Sequence, residues 1–112
     1  PMTYYAIAAL DNGYLAAWPT QGRVYFARLD DAGRRLSPLE VGTGGQAGMR
    51  TGVRAVANAK GQMLVLWNRD NQLGWQSYAT DCRPAGAKGQ VATTGKGAAV
   101  AIAADGTFLI IH

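Results

Sequence analysis

Three tryptophans and the polar residues near them are the side chains of this chain with the most to offer a ligand. They are Trp18 with Gln21 and Arg23, Trp67 with Arg69, Asp70 and Asn71, and Trp75. Indole rings stack on flat apolar surfaces such as sugar faces, while Arg, Asp and Asn supply directional hydrogen bonds around them. Repetition adds avidity, because several weak sites on one assembly bind together without any new contact. These residue types point to recognition of a carbohydrate or a protein through Trp18, Trp67, Trp75, Arg23, Arg69 and Asp70. A plainer reading stands beside it: a ring repeated at a strand end most often packs on the adjacent repeat, and the polar residues then line solvated turns.

Catalytic chemistry is not expected. His112 is the only histidine and the last residue, so a histidine-based triad or metal cluster would hang on a terminal side chain with no partner in view. Cys82 lies between Asp81 and Arg83 in a predicted turn; a neighbouring arginine lowers a thiol pKa, but without a histidine base a nucleophilic role is not expected. Asp30, Asp31 and Asp81 also fall in turns, where Asp caps its own backbone, and no calcium-loop ladder surrounds them. The glycines of Val41-Gly-Thr-Gly-Gly45 open no helix and precede no Lys-Ser/Thr, so no phosphate loop is implied. No cofactor and no metal is expected.

The elements that must position these residues follow from composition and repetition. With 112 residues, 48% hydrophobic and 16% charged against about 25% charged in a typical globular domain, the chain folds as one domain. Its apolar runs, such as Met63 to Trp67 and Val100 to Ala104, fall far short of the roughly 20 residues that cross a bilayer. No signal peptide is visible at the start, which leaves the compartment open, with a secreted or periplasmic location if the chain is processed. A single cysteine excludes an internal disulfide framework. The formal charge of +4 is scattered, with Arg34-Arg35 and Arg50 with Arg54 the only close groupings, so the charges read as a solvated face and no nucleic-acid partner is expected.

Three segments share one pattern: small apolar residues, a turn ending in Gly, then an apolar run closed by a ring. They are Ile7 to Trp18, Ala55 to Trp67 and Val100 to His112, with the glycines 48 and 45 residues apart and the rings 49 and 45. Ile7 and Ala9, Ala55 and Ala57, and Val100 and Ile102 alternate with a period of two, and Asn12-Gly13, Lys60-Gly61 and Asp105-Gly106 read as two-residue hairpin turns, the Asn-Gly and Asp-Gly pairs fitting type I′. Alanine favours helix, but no window keeps helical spacing for three turns without Gly or Pro. Arg23 to Leu29 and Leu73 to Ala79 read as third strands with turns at Asp30 to Gly33 and Asp81 to Gly86. Val41 to Thr43 and Val91 to Thr93 read as weaker fourth strands, followed by Gly-rich connectors near Gly44 to Thr51 and Gly95 to Gly97.

The chain thus divides into a unit at 3–50, a unit at 51–95 and a half unit at 96–112. Four short antiparallel strands every 40 to 50 residues mark a β-propeller blade, and the pattern resembles bacterial β-propeller repeat proteins of the sialidase-like and quinoprotein-like kind. The likeness extends to architecture only: the sialidase Asp-box is matched merely by Asp105-Gly106-Thr107-Phe108 with wrong spacing, and no WD40 Trp-Asp ending follows Trp18 or Trp67. The expected fold is all-β, about two and a half propeller blades, with a β-sandwich or barrel as the alternative. Propellers close with about four to eight blades, so the resemblance implies a ring completed by further copies of the chain or by a partner propeller chain. The function implied is a non-enzymatic, lectin-like or protein-binding module, or else a structural piece that completes a larger propeller.

Overall fold

The computed structural model describes residues 6–36, 41–46, 53–69, 72–92 and 99–111. All of the regular structure among them is β, in antiparallel pairs, with no helix. Strands β1 (Ala6–Leu10), β2 (Gly13–Thr20), β3 (Arg23–Leu29) and β4 (Val41–Gln46) form a first sheet in chain order. A second sheet follows with β5 (Val53–Ala57), β6 (Met63–Arg69), β7 (Gln72–Tyr78) and β8 (Pro84–Ala92), again in chain order. Strands β9 (Ala99–Ile102) and β10 (Phe108–Ile111) form a third, two-stranded sheet. None of the sheets formed by the described residues closes into a barrel, so the barrel reading falls. His112, Asp70 and Asn71 lie outside the described residues, as does most of the predicted connector at 44–51.

The turns correct the sequence-based expectation. In β1–β2 the two loop residues are Asp11 and Asn12, neither with positive φ, so no type I′ turn forms there; Gly13 is the first paired residue, at φ 138°. A side chain at Gly13 would meet the Leu29 carbonyl oxygen, which is why glycine stands there. The other two hairpins use a longer loop in which the N–H of Gly61 donates to the Asn58 carbonyl and that of Gly106 to the Ala103 carbonyl. This is the three-residue hairpin with a left-handed residue forming a bulge. Its extra residue explains why the first two glycines lie 48 apart while the first two rings lie 49 apart. The same loop recurs between β3 and β4 at Gly33 and between β7 and β8 at Cys82, which takes φ 69° where its counterpart is a glycine. A type I′ geometry, with positive φ at both loop residues, occurs instead at Gln21-Gly22 between β2 and β3.

The fourth strands are longer than the sequence predicts. β4 continues through Gly44 to Gln46, and β8 begins at Pro84, inside the stretch Asp81 to Gly86 that reads as turn. Pro84-Ala-Gly-Ala-Lys-Gly lacks β-branched and aromatic residues, so its strand state comes from pairing with β7, not from propensity.

The sheets pack face against face. Leu15, Ala17, Val24 and Phe26 of the first sheet share one core cluster with Met63, Val65, Trp67 and Tyr78 of the second. At its centre the Phe26 and Tyr78 rings meet at 4.3 Å between centroids, tilted by 48°. On the second sheet's other face Leu64, Leu66 and Leu73 cluster with Val100, Phe108 and Ile110 of the third.

Burial pushes the Tyr78 phenol from 10.0 up to about 12. The native state therefore holds this proton where the unfolded chain releases it, so the stabilisation is complete below pH 10 and drains away as pH rises towards 12. Urea midpoints measured across that interval should fall, and Tyr78→Phe should flatten the decline; an equal decline in the variant would place its cause elsewhere.

Candidate functional site

Pairing partners share a face of a sheet, so the registers assign every strand residue to one side or the other. On the first sheet Ile7 pairs with Ala16 and Ala9 with Tyr14, while Tyr14, Ala16 and Trp18 pair with Leu29, Ala27 and Tyr25. These residues form the face turned away from the second sheet. Its cluster, built on Ala16, Trp18 and Ala27 with Tyr25 and Leu29 against them, draws on this sheet alone among the described residues.

The corresponding face of the second sheet is the one that meets the first. Trp67 takes the place of Trp18, Val65 of Ala16, Met63 of Tyr14, Ala55 of Ile7 and Tyr78 of Leu29. These positions are apolar or aromatic in both sheets; Trp18 and Trp67 are equally buried, Ala16 and Val65 are both buried, and exposure differs at the Ile7 and Tyr14 end. Tyr14 is 41% exposed, whereas Met63 is fully buried against the first sheet.

The three tryptophans lie on three different sheet faces and are not brought together. Trp18 sits within the outward cluster of the first sheet, buried beside Tyr25. Trp67 is buried between the first and second sheets, its indole lying over Gly74 directly across the β6–β7 pair. Trp75 is half-buried on the opposite face, over Gly89 and towards the third sheet. Arg23 is exposed at the start of β3, just after the Gln21-Gly22 turn, and Arg69 ends β6 opposite Gln72. Asp70 falls outside the described residues.

Sequence reasoning missed a set of polar clips that join the sheets at their turn ends. Arg28 donates through Nη1 to the Thr80 carbonyl at 2.7 Å and through Nη2 to Asn12 Oδ1 at 3.0 Å. Asn58 donates through Nδ2 to the Gly106 carbonyl at 2.9 Å while its Oδ1 accepts from the N–H groups of Lys60 and Gln62. Asn58 is therefore both a cap for its own turn and a tie to the next. The only signal for this was the recurrence of Asn and Asp beside the turn glycines. Asp105 accepts the Thr107 N–H, which holds its carboxyl below the usual carboxylate range.

Cys82 is less reactive than its neighbours imply. Burial pushes its thiol up, outweighing the lowering by Arg28. Among the described residues no three His, Cys, Asp or Glu side chains gather as a metal site would need, and no helix is long and apolar enough to cross a membrane. No protein-family model matches the chain, and no curated protein or solved structure matches it either.

Proposed function

We propose that this chain is a non-enzymatic binding module of the β-propeller type, its sheets standing as successive blades, and that it recognises a protein surface through the outward face of its first sheet. The observation that carries the proposal is the contrast between Tyr14 and Met63: one position of the repeat, exposed on the first sheet and buried on the second where a neighbouring sheet lies over it. The part of this face left exposed, Ile7 at 64% beside Tyr14, is a docking surface for protein. The four-stranded meanders in chain order and the stacking of their faces support the blade arrangement. Burial of Trp18 and Trp67 favours a protein over a sugar, because a ring that stacks on a sugar must present its face to solvent.

Sedimentation at rising concentration, run beside a glycan array, tests this. Association with a blank array is the expected result. A glycan held by a chain that stays monomeric would overturn it and move recognition to the exposed polar tips near Arg23.

A further inference from the structure

Granted the docking role of the first sheet's outward face, we infer that its occupant is the third sheet of a second copy of this chain, joined head to tail. Two kinds of sheet face alternate along the stack. The receiving kind carries Tyr14, Ala16 and Trp18 on the first sheet, Met63, Val65 and Trp67 on the second, and Phe108 and Ile110 on the third. The inserting kind carries Leu15, Ala17 and Phe26 on the first sheet, and Leu64, Leu66 and Trp75 on the second. Within the chain each contact joins one kind to the other: inserting residues of the first sheet meet receiving residues of the second, and inserting residues of the second meet receiving residues of the third.

That alternation leaves one face of each kind at the two ends of the described stack. The first sheet ends on a receiving face that is open at Ile7 and Tyr14, while its Ala16, Trp18 and Ala27 are buried in a cluster of their own. The third sheet ends on an inserting face, where Leu109 is 52% exposed and Ile111 64%. The positions equivalent to these two are Leu64 and Leu66 on the second sheet, both buried against a neighbour. The molecule thus leaves exposed the Ile7 and Tyr14 part of one such face and the Leu109 and Ile111 part of the other, the two kinds of surface that meet inside it. Two copies of the same face would bring like against like, a pairing that occurs nowhere in the stack. The complementary pairing is heterologous, and such contacts close into a ring or continue into a filament according to the rotation at each step.

Lysine placed at an exposed position of either face puts a charge where the other copy must dry the surface. The full chain carrying Ile7→Lys, and separately Leu109→Lys, should keep the wild-type circular dichroism spectrum and associate at least about tenfold more weakly than wild type in sedimentation equilibrium. The decisive sample is their mixture, because each variant retains one intact face. Equal amounts should form a one-to-one dimer that does not grow further. A mixture that stays monomeric while wild type associates overturns the head-to-tail pairing. Association lost in Ile7→Lys but kept in Leu109→Lys also overturns it, yet leaves the first sheet's docking role standing. Association kept in both variants overturns that role as well. Where Leu109→Lys alters the spectrum, Ile111→Lys replaces it, since Ile111 lies on the same face and is more exposed.

Discussion

Phe26→Ala is expected to destabilise the chain by about 4 kcal/mol, the sum of lost transfer free energy and the cavity left behind. Phe26 is fully buried, it lies where the first and second sheets meet, and its ring packs on Tyr78. A loss of that size is comparable to the total stability of a marginal domain, about 5–15 kcal/mol, so the variant should unfold at much lower urea concentration. Leu36→Ala serves as the comparison, since Leu36 is exposed and outside the core clusters, and its effect should stay within about 0.5 kcal/mol. A Phe26→Ala loss below about 1 kcal/mol would mean that the two sheet faces do not pack closely in solution.

Gly74→Ala should cost about 3 kcal/mol although it adds a single methyl group. A Cβ at Gly74 would stand within the Trp67 indole, against Nε1 and at 2.7 Å from Cε2 and 2.9 Å from Cδ1. Trp67 is buried between two closely packed sheets, so the methyl must displace the ring or the strand. The matched change Gly89→Ala presses on the Trp75 ring in the same manner, but Trp75 is half-buried and can swing towards solvent. Its cost should accordingly be the smaller of the two in chemical denaturation. Trp67→Leu introduced with Gly74→Ala should recover part of the loss, and additive losses would rule out the ring as the cause.

The glycine spacing and the alternating apolar residues mark the three short-loop hairpins correctly in kind, because both signals act within a few residues of the chain. They do not distinguish loop types: Asp11-Asn12 closes one hairpin with two residues, whereas Lys60-Gly61 and Asp105-Gly106 belong to longer loops with a bulge. Cys82 shows the limit of reading turns from glycine, since it holds the left-handed position with an ordinary side chain. Pro84 to Ala92 shows the limit of propensity, because small residues become a strand when β7 offers them an edge and the Trp75 ring covers their glycine.

The candidate site was legible only as a set of residue types. Trp18, Trp67 and Trp75 stand out in the sequence, yet nothing local separates a ring that faces a ligand from one that faces a neighbouring sheet. Alternation tells which residues share a face, and composition tells that both faces are apolar enough to be covered; these are properties of single strands, so an all-β chain of repeated hairpins can be read before folding. Which face is covered depends on what lies across it. Tyr14 and Met63 occupy one position of the repeat, and only the stacking of the second sheet on the first buries one and leaves the other in water.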